Sequence, residues 1–398
     1  MNGSLGELRL LLEVSVFLLS TVFFFYAAIA LIFRRLAKKY VTEEASKLKQ
    51  IESEEYPEVS LIVPTYNEER IVAKKIQNVL ELDYPNDRFE VIFVDGASKD
   101  STPEILHQKI RESGRRMKLI RQKSRAGYNS AIIEGLRSAS SKIIMITDAG
   151  AYHDVNALKN LVKHFHDSSV GVVMGGQRIL NAEKGFVPKL EEAYWKFYEQ
   201  SRMAESHIDS ISVSKGECMV FRREICEKAL SENKNFAERG SLDVNIVYEA
   251  RKQFFKAKFE PSALFYEYAP ETLKERFQQK TRRAINQINS MLLFKHMLLN
   301  KRFNAFGLVI LPLQYFSLLV LPWMFVLGSV MVLPAILLSS NTILYVGTLV
   351  LILTSTLMIN RYAFASFVLS QISLVTATLR ILFSRTSNFI DIIPSTRQ

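Results

Sequence analysis

Cysteine is almost absent from this 398-residue chain: Cys218 and Cys226 are its two thiols. Two thiols build no disulfide framework and no cysteine-based metal site, so the fold must stand on burial and hydrogen bonding. No internal repeat and no low-complexity tract is present, which excludes repeat architectures. The most telling deficit is local. Val14 to Phe33 contains no Lys, Arg, Asp or Glu, nor does Phe303 to Asn360, and Tyr362 to Leu379 is again uncharged. A wholly soluble domain has no use for such runs. Twenty helical residues reach about 30 Å, the thickness of a hydrocarbon core. The first run is too long for a signal-peptide core and no small-residue cleavage site follows it, so it reads as an uncleaved anchor.

The charge that is present is predominantly basic, with a formal net charge of +11. Arg34, Arg35, Lys38 and Lys39 follow the first span directly, and Lys295, Lys301 and Arg302 precede the second apolar zone. Basic residues flanking a span mark its cytosolic side. Residues from about 40 to 300 are therefore expected in the cytosol, on a multi-pass protein of the cell membrane. Much of the excess charge lies beside the apolar segments and in a basic stretch over 274–302. Anionic lipid headgroups and a phosphorylated ligand explain this placement better than nucleic acid, which is excluded as a partner.

The C-terminal zone reads as three or four segments over 303–385. Ser339-Ser340-Asn341 and Asn360-Arg361 serve as polar turns, giving spans at about 342–359 and 362–383. The stretch 304–338, interrupted by Pro312, Pro322 and Pro334, is either an interfacial helix plus one span or a short hairpin of two. Arg380 and Arg385 favour a cytosolic C-terminus. The expected organisation is an anchor with a basic flank (1–40), a linker (41–55), a soluble domain (56–273), a basic amphipathic juxtamembrane helix (274–302), the C-terminal membrane region (303–385) and a tail (386–398).

Within the soluble domain, short β-rich runs alternate with amphipathic stretches. Val59 to Val63, Glu90 to Val94, Met117 to Ile120 and Ile143 to Ile146 read as strands, and about 68–82, 103–113 and 128–140 as helices. This alternation predicts βαβ units and a Rossmann-like, mainly parallel sheet, alongside α-helical transmembrane segments. Ligands bind at the carboxyl ends of such strands. Those ends carry Pro64-Thr65-Tyr66-Asn67-Glu68, then Asp95-Gly96-Ala97-Ser98-Lys99-Asp100-Ser101-Thr102, then Thr147-Asp148-Ala149-Gly150. Each alone is an ordinary cap or turn; Asp100 and Ser101 suit a helix start near Pro103. Together they set carboxylates, hydroxyls and glycine on one rim.

In this order and spacing the chain, over about 56–300, resembles the family-2 inverting glycosyltransferases of GT-A fold. Pro64 to Glu68 resembles the first-strand motif, and Val94 to Thr102 the second. Arg125-Ala126-Gly127-Tyr128-Asn129 is similar to a Lys-x-Gly-x-x-Asn segment, and Asp148-Ala149-Gly150 stands where the family has Asp-x-Asp. The resemblance implies nucleotide-sugar contacts from Pro64, Tyr66, Glu68, Asp95, Arg125, Asn129 and Asp148, with Asp148 as metal ligand. Ser214-Lys215-Gly216-Glu217 resembles the acceptor-side loop, implying Gly216 and Glu217 there. Leu242-Asp243-Val244 falls at the Glu-Asp position, which assigns Asp243 as catalytic base. Gln279-Lys280-Thr281-Arg282-Arg283 resembles the Gln-x-x-Arg-Trp motif of membrane-integrated members such as cellulose and hyaluronan synthases and ceramide glucosyltransferases. It implies that Gln279, Arg282 and Arg283 meet the donor diphosphate.

The chemistry of these parts is coherent. The donor leaves as a diphosphate, and preorganised cations stabilise the charge that grows there. A carboxylate on the opposite side takes the proton of the attacking hydroxyl, giving single displacement with inversion. The departures from the motifs matter as well. Gly150 replaces the second acid of Asp-x-Asp, so the expected Mg²⁺ or Mn²⁺ has one carboxylate fewer. Gly96 replaces an acid of the second-strand motif. Arg283 replaces a Trp, which favours a phosphorylated or anionic acceptor over a polymer. His153, near the Asp148 loop, and the aromatic helix of Trp195 and Tyr198 read as structural. The expected activity is transfer of a sugar from a UDP- or GDP-linked donor to a membrane lipid, either a polyprenyl phosphate or a glycolipid. A processive polysaccharide synthase and a non-catalytic sugar-nucleotide-binding or assembly protein are the alternatives.

Overall fold

A computed structural model describes residues 2–49, 56–337, 342–383 and 396. The soluble part is built on one eight-stranded sheet: β1 (Val59–Thr65), β2 (Phe89–Asp95), β3 (Met117–Arg121), β4 (Ile143–Ile146), β5 (Tyr152–His153), β6 (Val170–Ile179), β7 (Met219–Arg222) and β8 (Lys256–Glu267). Their spatial order is β3-β2-β1-β4-β7-β6-β8-β5. β1, β2, β3 and β4 run parallel, β7 is antiparallel to both β4 and β6, and β6 pairs in parallel with β8. The four sequence-expected strands lie where the β-branched runs put them.

The helices, in chain order, are α1 (Asn2–Lys49), α2 (Val72–Leu80), α3 (Thr102–Ser113), α4 (Tyr128–Ser138), α5 (Ala157–Val162), α6 (Phe186–Ile208), α7 (Arg223–Glu232), α8 (Leu242–Lys252), α9 (Leu273–Leu293), α10 (Leu311–Tyr315), α11 (Leu321–Leu337) and α12 (Thr342–Phe383). Successive residues of β1 serve opposite cores. Val59, Leu61 and Val63 pack with Val72 and Ile76 of α2, whereas Ile62 packs with Ile132 and Leu136 of α4. A strand buried on both faces is a near-continuous apolar run, which is why Val59–Val63 stood out in the sequence. Pro64 is tolerated in this central strand because β4 pairs only with Val59 to Ile62, so no ladder bond is lost to its missing N–H on that side.

Among the described residues, three helices are long and apolar enough to cross a membrane: within Leu10–Glu44, Phe306–Val332 and Arg361–Phe383. Several expectations need correcting here. The 41–55 linker is not a linker over its first part: α1 runs unbroken to Lys49, and 50–55 lie outside the described residues. The reason is tertiary. The Tyr40 hydroxyl donates to the Phe259 carbonyl (2.8 Å), Glu44 meets His164 (3.3 Å) and Glu43 meets His207 (3.3 Å), so the end of α1 is docked on the domain built around the sheet.

The turn at Asn360-Arg361 does not form either. Both residues lie inside the 42-residue α12, where Arg361 donates to the Tyr362 hydroxyl (2.9 Å). A polar pair without proline removes no backbone bond and gives the helix no cause to end. The turn expected at Ser339-Ser340-Asn341 lies outside the described residues.

Phe306–Leu337 is one helical run rather than a hairpin. It passes through π-turns at Phe306–Ile310 and Phe316–Val320, each ending two residues before a proline, Pro312 and Pro322. A wider turn there accommodates the carbonyl that the ring would otherwise strike. Asp209 caps the start of this run, accepting from the Phe306 amide (3.2 Å) while paired with Arg251 (3.2 Å).

Candidate active site

The loops after β1 and β2 are sewn to each other. The Asn67 amide donates to Ser98 Oγ (2.9 Å), the Lys99 amide to Asn67 Oδ1 (2.9 Å), and the Glu68 amide to Thr102 Oγ1 (2.8 Å). Asp100 fixes Thr102 through both its amide (3.1 Å) and its hydroxyl (2.6 Å), so this acid braces the loop. Asp95 is fully buried. Its oxygens accept from the Ser98 hydroxyl (2.5 Å) and amide (3.1 Å), with Arg121 at 3.6 Å. Tyr66 lies 4.1 Å below the Arg125 guanidinium, joining the first-strand loop to the segment before α4. Pro64, Tyr66, Glu68, Asp95 and Arg125 thus share the rim at the ends of β1 and β2. Asn129 does not join them: its side chain donates to the Ala237 carbonyl (2.9 Å) and holds the loop before α8.

A second group gathers where β4, the Gly216 turn and α8 meet. Gly127, with φ of 87°, turns the chain into α4, so that Tyr128 leads the helix over this spot. A Cβ on Gly216 would come within 2.5 Å of the Tyr128 hydroxyl, so this close approach requires glycine. Asp148, Asp243 and Glu217 all act on that hydroxyl, burial chiefly and then these carboxylates pushing its pKa well up; Tyr128 therefore remains a proton donor, bonded to Asp148. The motif reading quoted Tyr128 without a role. Its place as first residue of the helix that opens on the rim is the signal that could have found it.

Asp243 sits in the first turn of α8, 8% exposed. Its Oδ2 accepts from the Gly216 amide (3.0 Å) and its Oδ1 from the Ser241 hydroxyl. Burial, with Glu217 adding to it, raises its pKa to about 6 against the pull of those donors. A carboxylate poised there is ionised at neutral pH yet basic enough to accept a proton. Glu217 differs. Burial pushes its pKa up, but Lys215, Arg283 and Arg282 outweigh that and hold it below the usual range. Arg283 donates to Glu217 at 3.0 Å and lies 3.8 Å from Glu267.

α9 begins with a capping box at Thr272 and Glu275 and carries Gln279, Arg282 and Arg283. Its buried side is an ion cluster: Glu191 of α6 takes Arg276 (2.7 Å) and Lys280 (2.9 Å). Lys280 lies 3.4 Å from the Tyr194 ring centroid, and Lys215 3.9 Å from that of Trp195. Trp195 is 5% exposed, so the aromatic helix packs, as expected, but it packs around cations. The same α9 reaches the apolar helices: Arg276 Nη2 donates to Ser366 Oγ of α12 at 2.9 Å.

Beneath the Asp148 loop lies a fully buried lysine that the motifs did not flag. Lys75 donates to Thr147 Oγ1 (3.1 Å) and the Ala151 carbonyl (2.5 Å); burial lowers its pKa to about 7, with Asp148 opposing. His153 is turned inward, its Nε2 at 3.0 Å from the Glu217 carbonyl, and burial together with Lys75 keeps it neutral. Among the described residues no three His, Cys, Asp or Glu converge to hold a metal. With Gly150 lacking a side chain, His153 inverted and Glu217 engaged by Arg283, Asp148 is the carboxylate available to a metal here. One carboxylate with substrate phosphates and water is a donor set that Mg²⁺ accepts, so the residues fit a metal held jointly with the donor.

A curled, mainly parallel sheet with acids at the ends of β1, β2 and β4, followed by an antiparallel β7 and an acid-bearing helix, defines the GT-A class of sugar-transferring domains. Residues 60–230 match the Glycosyl transferase family 2 model. The chain is similar to the beta-monoglucosyldiacylglycerol synthase of Synechocystis sp., 32% identical over 161 residues, 39% of this chain and 33% of that protein. It is also similar to the poly-beta-1,6-N-acetyl-D-glucosamine synthase of Staphylococcus aureus, 24% identical over 243 residues, 60% and 57% of the two. The chain thus spans between a third and three-fifths of these relatives. Among solved structures, the mannosyltransferase PcManGT of Pyrobaculum calidifontis, in complex with GDP-Man and Mn2+, superposes with a TM-score of 0.76 at 23% identity, covering 94% of this chain and all of that one. That likeness extends over the apolar helices and shows the fold.

Proposed function

We propose that this chain is a membrane-integrated, inverting glycosyltransferase that moves one sugar from a nucleotide-sugar donor to a membrane lipid, with its catalytic domain on the cytosolic side. The observation that carries this reading is the position of α9. Through Arg283 it is bonded to Glu217 in the carboxylate cluster, and through Arg276 to Ser366 of an apolar helix. A transfer site tied so directly to the spans suits an acceptor that lies in the bilayer. The diacylglycerol-glucosylating relative supports a lipid acceptor.

In this mechanism the rim of Pro64, Tyr66, Glu68, Asp95 and Arg125 takes the nucleoside, and Arg125, stacked on Tyr66, presents its guanidinium to it. Gln279, Arg282 and Arg283 face the diphosphate, where Arg donors match phosphate oxygens. Asp148 would hold a Mg²⁺ or Mn²⁺ ion, which would supply further neutralisation of the leaving group. Asp243 removes the proton of the attacking acceptor hydroxyl, held in place by the Gly216 amide and Ser241. Tyr128 keeps its proton and donates a hydrogen bond to Asp148, which holds that carboxylate turned into the site. Gly216 and Glu217 form the acceptor side, Glu217 holding Arg283 in register.

The polymer-synthase relative supports a second reading, in which the same site extends a chain. Three candidate spans among the described residues are few to enclose a polar polymer. A donor screen with purified protein and a membrane lipid extract tests the proposal: nucleoside diphosphate release with one lipid-soluble, singly glycosylated product supports it, and long polymer overturns it.

A further inference from the structure

Among the described residues, five that are not glycine hold a positive φ. Asn67 (54°) and Ala97 (61°) lie in the sewn loops of the candidate active site. The other three, Phe254 (68°), Leu299 (55°) and Asn304 (49°), gather elsewhere, at the passage from the soluble domain into the Phe306–Val332 helix. Side chains as large as Phe and Leu seldom adopt this conformation, and it persists where the surroundings or a function demand it. Between Phe254 and the 295–303 loop opens a cavity of about 400 Å³.

The charged lining of the cavity is layered: Glu249 is fully buried, and Lys228 and Arg302 are exposed, beside Phe254. Lys228, Lys252 and Arg302 line it against Glu232 and Glu249, and Lys252 bridges both acids (3.0 and 3.2 Å). His296, also in the lining, is kept neutral by burial and by Lys252, so three cations face two carboxylates, with Lys295 and Lys301 on the adjoining loop. The Arg302 guanidinium lies 5.2 Å from the Phe254 ring centroid. Phe254 is 55% exposed and Leu299 67%, both unusually high for such side chains.

The level of this cavity is set by the chain itself. The Leu299 amide donates to the Gly307 carbonyl (3.0 Å), so the loop folds onto the first turn of the apolar helix, whose Leu308 and Val309 are exposed. Two exposed cations, next to exposed apolar side chains at the start of a span, complement a phospholipid: phosphate between Arg302 and Lys228, acyl chains along the helix.

We propose that this cavity binds the phosphate headgroup of an anionic membrane lipid, with Arg302 and Lys228 facing the phosphate and Phe254 and Leu299 set among the acyl chains. The site is separate from the transfer site and rests on the membrane placement proposed above, not on the glycosyl-transfer reading.

The test uses the full chain in neutral detergent, titrated with dioctanoyl phosphatidylglycerol, dioctanoyl phosphatidylcholine or inorganic phosphate while Tm is followed. Phosphatidylglycerol alone is expected to raise Tm saturably. Arg302→Glu and Lys228→Ala should each weaken its apparent Kd by about tenfold or more. Phe254→Gly, which suits the left-handed backbone, should keep the lipid-free Tm at or above wild type and still weaken the lipid response about threefold or more. An equal response to phosphatidylcholine, an equal response to inorganic phosphate, or an unchanged titration in Phe254→Gly and Lys228→Ala overturns the proposal. Extraction of the chain from membranes by alkaline carbonate would instead overturn the membrane placement, and nucleotide-sugar turnover is untouched by either result.

Discussion

Asp243 carries the chemistry proposed here, and its environment sets a pH dependence. Its pKa, raised to about 6, means that kcat/KM should climb with pH through about 6 as the carboxylate ionises. Asp243→Asn should lower kcat by about a thousandfold or more and flatten that limb, with donor KM little changed. The stability effect has the opposite sign. Because the folded state holds this proton more tightly than the unfolded one, the group weakens the fold progressively from its ordinary pKa up to about 6 and remains unfavourable above. Asp243→Asn should therefore raise stability at neutral pH by about 1–3 kcal/mol, read by urea denaturation. An inactive variant more stable than wild type separates catalysis from damage to the fold. Individual roles were only partly legible beforehand. Asp243, Glu217 and Arg283 stood in recognisable strings of residues. Tyr128 and Lys75 gain their roles from contacts across the sheet, and Asn129, drawn to the Ala237 carbonyl, shows how a motif position can serve the backbone instead.

α9 and α6 are held together by a buried ion cluster, and its removal should be costly. Glu191→Gln leaves Arg276 and Lys280, both below 10% exposed, without their carboxylate. Breaking a buried pair by deleting one partner costs about 3–5 kcal/mol. The expected result is a large drop in Tm, with Lys280, whose pKa burial already lowers to about 7, giving up its proton at neutral pH. Thermal denaturation with and without Glu191→Gln checks this, and an unchanged Tm would mean that the cluster is not needed. Elements were legible in the sequence wherever burial on two faces produced an unbroken β-branched run, as in β1 and β4, or start residues marked a helix, as Asp100 and Pro103 mark α3. The junctions were misread. Residues 41–49 are polar and look like a linker, but Tyr40, Glu43 and Glu44 find partners on the domain. Asn360-Arg361 looks like a turn, but a polar pair does not end a helix that packs against its neighbours.

α1 and the sheet domain are joined through the same contacts. His164 is buried between Glu260 (2.7 Å) and Glu44 (3.3 Å); burial alone would lower its pKa, but the two carboxylates outweigh it and raise it. The contribution of His164 to this docking is therefore full below the ordinary histidine pKa and lost as pH rises through the raised value. The protection of the 41–49 amides, as exchange relative to their intrinsic rate at each pH, should fall in that window, and in His164→Gln it should be low at every pH. The account as a whole holds that a family-2 glycosyltransferase domain works at the bilayer on a lipid. Its most direct test is one reaction: the full chain in lipid nanodiscs, given each nucleotide sugar and a membrane lipid extract, with wild type and Asp243→Asn run side by side. The account predicts release of nucleoside diphosphate matched by a single lipid-soluble glycoside in the wild type and neither in the variant. Polymeric product, or equal turnover by the variant, would contradict it.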